Sequence, residues 1–256
     1  MTELLSKEHT ILERPFMEFP PFGADERGEK IRDISGVIVQ ANVDYLEDCV
    51  TKVSGPGAGG EAVEELCRRI NERLRDPAYH VTRTFLKNPW RSYSYEFVCY
   101  LREFGKRLSG DPFYVLHTAM AKHISPIIQV LCRPFPMQHI YKMTPTLGAK
   151  FSKGIVVEVD SAQEGRAVVR MKFSERAYEQ FGVYRMACTD LSCQSAKGGL
   201  MVLPKQVHGS PLATIEDRSC MVAGDEWCTY DICWAPRTPR GRIVWSFRRL
   251  LAGSTR

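Results

Sequence analysis

Two cysteines, Cys220 and Cys228, flank the seven-residue segment MVAGDEW, which has a glycine at its centre. If the chain forms a β-hairpin that turns near Gly224, the two residues face each other with Cβ atoms about 4.5–5.5 Å apart. That separation suits two thiolates on one tetrahedral metal ion, with zinc–sulfur bonds of about 2.3 Å. It also suits a disulfide or two small core residues with no chemistry. The spacing alone leaves these alternatives open.

Other residues could complete a metal site around this hairpin. Cys188 and Cys193 lie in a predicted helix and could supply a third sulfur, and the adjacent acids Glu216 and Asp217 could supply a carboxylate. Residues an even number apart share a face of a regular strand, which favours Glu216 as the neighbour of Cys220. Asp217 reaches the same side only if a bulge interrupts the strand.

The elements that must position these residues change character along the chain. Helical patterns dominate the first half, including an amphipathic helix at residues 61–74, whereas the apolar run at 35–40 predicts a short buried strand. Alternating segments at 154–160 and 166–173 predict a hairpin, and one long helix or two joined helices are predicted at 174–202. The segments LATIEDRSC and EWCTYDICW then predict two more strands. The expected fold is therefore α+β, with a helical N-terminal half and an antiparallel sheet in strand–strand–helix–strand–strand order.

Composition restricts the class of protein. The 256 residues are 44% hydrophobic and 25% charged, which is typical of a globular protein, and the net charge of +5 does not indicate a dedicated nucleic-acid binder. No apolar run approaches the roughly 18 residues of a membrane span, and the N-terminus does not resemble a signal peptide. A cytoplasmic protein is expected. The odd number of nine cysteines argues against a secreted disulfide scaffold.

One motif carries no function, and a second one is missing from the sequence. The segment GPGAGG at 55–60 matches GxGxxG by its letters, but a dinucleotide loop must follow a strand, and here a helical pattern precedes it. A flexible connection between helices is the better interpretation. No serine or cysteine occupies a nucleophile-elbow motif.

The run ATIEDRSCMVAGDEWCTYDICW resembles the end of a vinyl-reductase (4-vinyl-reductase) domain. This family includes the ligand-sensing module of phenol- and xylene-responsive activators and is related to the haem–NO-binding and transport-particle folds. The resemblance covers about 150–235 and implies a closed, structural zinc site at Cys193, Asp217, Cys220 and Cys228. The family usually has Glu where this chain has Asp217. Haem binding in the related fold needs a proximal histidine and a Tyr-Ser-Arg clamp, which YSYEF at 93–97 does not match, so no haem is expected.

The resemblance also gives a division of the chain. The expected parts are an irregular N-terminal arm at 1–34, a helical half at 35–150, a vinyl-reductase-like domain stapled by zinc at 151–235, and a basic C-terminal tail or helix at 236–256.

The resemblance further implies a small-molecule sensor whose pocket lies between the helical half and the sheet. Its ligand would be apolar or aromatic, and the residues assigned to it are Trp90, Tyr95, His117 and His139. The other expected partners are a second copy of the chain, as a homodimer, and a signalling protein; neither a membrane nor direct nucleic-acid binding is expected. Two alternatives stay open: an enzyme acting on an aromatic or polyketide-like intermediate, and a structural protein-interaction module.

Overall fold

The computed structural model describes residues 10–121 and 126–235, so the predicted basic tail at 236–256 lies outside the described residues. Eight helices form the N-terminal part of that range, together with a two-stranded ribbon of β1 (Ile34–Ser35) and β2 (Ser92–Tyr93). The helices are α1 (Gly36–Ser54), α2 (Ala58–Asn71), α3 (Arg83–Leu86), α4 (Tyr95–Ser109), α5 (Tyr114–Ala121), α6 (Pro126–Cys132), α7 (Met137–Lys142) and α8 (Thr144–Phe151).

The second part contains a four-stranded sheet and two helices. Its elements are β3 (Ile155–Gln163), β4 (Arg166–Phe173), α9 (Glu175–Phe181), α10 (Arg185–His208), β5 (Thr214–Ser219) and β6 (Cys228–Cys233). The strands lie in the order β3–β4–β6–β5, and every neighbouring pair is antiparallel. The predicted α+β class and the strand–strand–helix–strand–strand order are confirmed.

The prediction of a strand at 35–40 is wrong, because α1 begins at Gly36. The Ser35 side chain accepts a hydrogen bond from the Val37 amide and so caps the helix. Val39, Val43 and Leu46 are fully buried at helical spacing, so the apolar face of a helix accounts for this β-branched run.

The segment before α1 is tied to the helical core by a buried ion pair. Arg14 pairs with Glu96 on α4, and the Glu96 carboxylate also accepts hydrogen bonds from the amides of Glu18 and Phe19. The Glu96 side chain is fully buried, and Ile11 beside the pair is part of the core. A charge at this depth is retained only where such partners satisfy it.

The helix α10 joins the helical half to the sheet. It packs closely along α5, where Gly198 approaches the Leu116 carbonyl so closely that a side chain would collide with it. On its other side α10 contacts β5 and β6, whose buried residues Cys228, Tyr230 and Ile232 face the core. None of the described helices is both long and apolar enough to span a membrane.

Candidate functional site

Three cysteine side chains converge where α10 meets the first residue of β6. The Cys193 and Cys228 sulfurs are 3.0 Å apart, and the Cys228 and Cys220 sulfurs are 3.9 Å apart. All three Sγ atoms lie within 4.8 Å of one another, and among the described residues they form the group able to share one metal ion. Cys193 and Cys228 are buried and Cys220 is half-buried. We call these three residues the thiol centre.

Local structure explains how the hairpin cysteines meet. Met221–Ala223 form a 3₁₀ turn that ends at Gly224, whose φ of +102° is a conformation that glycine adopts without strain. The turn carries Cys220 back toward the first residue of β6. The Met221 amide then donates a hydrogen bond to the Cys228 sulfur at 3.3 Å.

The two closest sulfurs lie at hydrogen-bond distance, and either one can be the donor. The hydrogen bond from the Cys193 thiol lowers the pKa of Cys228 to about 6, although burial opposes this shift. The same hydrogen bond, together with burial, raises the pKa of Cys193. These opposite shifts make Cys228 the more acidic thiol of the pair, and a thiolate is the form of cysteine that binds metals and acts as a nucleophile.

The predicted carboxylate lies on the correct face of the sheet but has another partner. A bulge between Asp217 and Ser219 leaves Asp217 opposite Tyr230, on the face toward α10, while Glu216 lies opposite Asp231 on the other face. The Asp217 carboxylate binds the Lys197 ammonium of α10, with Oδ2 2.5 Å from Nζ. Among the described residues, no carboxylate joins the three sulfurs.

Sequence reasoning missed two residues around the thiol centre. Burial alone would lower the pKa of Lys197. The ion pair with Asp217 raises this pKa, and the nearby Cys220 and Cys193 raise it further. The buried Tyr230 hydroxyl has no hydrogen-bond partner within residues 10–121 and 126–235, and burial together with Cys193 and Cys228 raises its pKa. Periodicity could have identified both, because Lys197 follows Cys193 by four residues in a helix and Tyr230 follows Cys228 by two in a strand.

The four residues assigned to an aromatic ligand have different surroundings. Trp90 is 92% exposed, and His139 is exposed on α7. Tyr95 is buried against Phe173 and Phe181, with its hydroxyl next to the Ser152 hydroxyl. His117 is half-exposed, and its Nδ1 lies 2.7 Å from the Asp111 carboxylate. These surroundings do not form one shared apolar pocket.

A large open groove of about 960 Å³ separates α1 from the C-terminal half of α10. Charged side chains line both sides, including Asp44 and Asp48 on α1 and Lys205 on α10. Apolar ligand sites exclude water and contain few polar groups. The thiol centre is more enclosed than this groove, which makes it the stronger candidate for a specific site.

No family model and no curated protein matches the chain. Solved structures with the same fold do match it. An H-NOX protein from S. oneidensis, a triple mutant in the Fe(II) ligation state, is 13% identical with a TM-score of 0.52, and the match covers 80% of this chain and 98% of that one. An H-NOX protein from the same organism in the Fe(II)NO ligation state is 14% identical with a TM-score of 0.51, and that match covers 79% of this chain and 99% of the other. At such identities the likeness concerns the fold alone.

These comparisons correct two expectations. The two solved structures named above are H-NOX proteins and not vinyl-reductase domains, so that assignment is wrong; cysteines across a hairpin follow from sheet geometry and do not distinguish families. The structural zinc cofactor is also wrong, because these neighbours are described by an Fe(II) state. The site gives a physical reason as well. Structural zinc has four ligands, whereas the described residues bring three thiols together and Asp217 is held by Lys197.

The described histidines do not offer a buried ligand for haem. His80 and His139 are exposed, His117 is bound to Asp111, and His208 lies 3.0 Å from the Phe135 carbonyl oxygen. The α7 residues directed inward are instead Met137, Ile140 and Tyr141, and Tyr141 stacks on Trp234. These described residues do not fit a haem ligated by an enclosed histidine.

Proposed function

We propose that this chain is a sensor domain that binds a small ligand at the thiol centre and signals through a partner protein. The fold supports a sensor, because it is shared with H-NOX structures, one of which is described in a state with NO on its Fe(II). The observation that carries the proposal is local: three sulfur atoms from α10, the hairpin turn and β6 lie within 4.8 Å of one another.

The chemistry of the thiol centre favours a soft metal ion as the ligand. Thiolates select soft and borderline metals over hard cations such as magnesium or calcium. The three described donors suit an ion that accepts three sulfurs, and the Lys197 ammonium near Cys193 and Cys220 offsets part of the negative charge of the thiolates. A cytosolic location would keep the thiols reduced and available.

Binding would change the distance between α10 and β6. Three sulfurs around one metal with bonds of about 2.3 Å are roughly 3.8–4.0 Å apart. The Cys193 and Cys228 sulfurs are 3.0 Å apart, so a bound ion would increase the distance between them by close to 1 Å. Because Cys193 lies on α10, and α10 packs along α5, this displacement would reach the helical half. A partner protein that contacts these helices could respond to it.

Metal titration followed by native mass spectrometry tests the proposal. The reduced protein should bind one soft ion, such as monovalent copper, per chain. Cys193→Ser should weaken retention against a thiol competitor by at least tenfold, because one of three ligands is lost. Cys233→Ser is the matched control, since Cys233 is an exposed cysteine at the end of the same strand as Cys228.

The outcomes separate the alternatives. Equal metal retention by Cys193→Ser and the parent would reject the thiol centre as the site. A Cys193–Cys228 disulfide in protein purified under reducing conditions would reject it too. Hydrogen exchange should also show altered protection along α10 when the ion binds, and unchanged exchange would reject the proposed signal.

A further inference from the structure

A positive charge is buried between the helices without an acidic partner. Arg102 on α4 is 4% exposed and lies near Tyr114 of α5 and Cys188 of α10. Its Nη2 donates to the Ser195 hydroxyl at 2.9 Å, while the buried Nε–H has no hydrogen-bond partner among the described residues. No described carboxylate forms an ion pair with it. Buried charges in proteins are normally paired.

Three ionisable neighbours of Arg102, namely Tyr95, Tyr114 and Cys188, do not supply the missing negative charge. Burial raises the pKa of Tyr95 and of Tyr114, so both phenols are neutral at neutral pH. A hydrogen bond with Cys99 and burial raise the pKa of Cys188 as well. Burial lowers the pKa of Arg102, but an arginine side chain keeps its proton in proteins. The cation therefore needs a counter-charge from elsewhere.

The hydroxyl group beside Arg102 is able to donate a hydrogen bond. Ser195 accepts from Arg102 and keeps its own hydroxyl proton to donate. A guanidinium with an unpaired N–H and a neighbouring hydroxyl suits an anion and does not suit a cation.

We propose that Arg102 anchors a buried binding site for a small monovalent oxyanion or carboxylate, of the size of nitrate, nitrite or formate. The planar guanidinium binds such anions through paired N–H groups, and exclusion of water strengthens the attraction. This second site rests on the proposed sensor function only for its biological role, because its residues are separate from the three cysteines. Ser195 and Cys193 both lie on α10, so both ligands would act on the same helix.

Thermal unfolding of the full chain with sodium nitrate, nitrite or formate tests this site, at an ionic strength held constant with sodium chloride. A ligand at about 100 times its Kd should raise Tm by roughly 5–10 °C and should saturate. Arg102→Met should abolish the rise. Arg107→Met is the matched control, because Arg107 is exposed on the same helix.

Two further variants keep the test decisive. If Arg102→Met does not fold, Arg102→Lys serves instead: it keeps the charge but loses the paired N–H geometry, so its Tm rise should be smaller than that of the parent. Cys193→Ser should keep the full anion response even if metal binding fails, which separates this inference from the proposed function. An unchanged Tm in the parent, or a full rise in Arg102→Met, overturns the anion site. An ultraviolet thiolate band that disappears in Cys99→Ser also overturns it, because a thiolate would then be the counter-charge.

Discussion

Asp217 on β5 and Lys197 on α10 form an ion pair, with the carboxylate Oδ2 2.5 Å from the ammonium Nζ. The pair connects the edge strand of the sheet to the helix that carries Cys193. The group formed by the three sulfurs does not include this carboxylate.

Asp217→Asn should therefore leave metal retention at the thiol centre unchanged. The variant loses an ion pair that is partly exposed on both sides, and such pairs contribute about 0–1 kcal/mol. Competition with a thiol chelator, followed by mass spectrometry, measures the retention. Glu216→Gln is the control on the opposite face of the strand. Faster metal loss in Asp217→Asn alone would make the carboxylate a ligand and contradict the three-sulfur site.

Glu96→Ala should lower the free energy of unfolding by about 3–5 kcal/mol, because the charge of Arg14 loses its buried carboxylate and keeps only the exposed carboxylate of Glu18 as an ion-pair partner. Arg14 is 7% exposed, and the amides of Glu18 and Phe19 lose their acceptor as well. Urea unfolding monitored by circular dichroism measures the loss. The more exposed pairs of Glu65 with Arg68 and Arg69 offer a control, since Glu65→Ala should have little effect. Equal stability of Glu96→Ala and the parent would refute a structural role for this pair.

Adjacent glycines in α10 should respond oppositely to alanine. A Cβ at Gly198 would collide with the Leu116 carbonyl and lie 2.9 Å from the Ala119 Cβ, whereas a Cβ at Gly199 meets nothing within 4 Å. Gly198→Ala should cost about 1–3 kcal/mol by overpacking. Gly199→Ala should gain up to about 1 kcal/mol of helix propensity. Thermal melts of the two variants measure the difference, and equal Tm values would contradict the close approach of α5 and α10.

Asp231→Asn should lower stability at neutral pH but not in strong acid. Hydrogen bonds from Arg166, and then from Arg218, hold the pKa of Asp231 well below its usual value, although its partial burial opposes this. A carboxylate with a depressed pKa stabilises the fold above its unfolded-state pKa, and this contribution is lost as pH falls through the folded-state value. Thermal melts from neutral to strongly acidic pH should show the two Tm curves converging in acid. Curves that stay parallel would mean that the charge of Asp231 is not what stabilises the fold.

The sequence by itself determined the local elements. Alternation over 154–160 and 166–173 indicated the β3–β4 hairpin, which the structure contains with Gly165 in its turn at a φ of +81°. The 3.6-residue repeat of apolar residues predicted α2, with Val63, Leu66 and Ile70 fully buried. The closeness of Cys220 and Cys228 was predictable for the same reason: periodicity and turn residues act over a few positions and are visible in a short stretch of chain.

Only the tertiary structure decided the contacts between distant elements. Whether Asp217 meets sulfur or Lys197 depends on where α10 crosses the sheet and on a bulge before Ser219, and neither is encoded in the spacing of the acids. The sequence around Arg102 did not indicate that its side chain is buried, because the residues that cover it lie on α5 and α10. The apolar run at 35–40 is helical because Ser35 caps the N-terminus of the helix and the apolar face of the helix packs into the core. The free energy of a side chain is set by the groups that packing places around it, and those groups are far away in sequence.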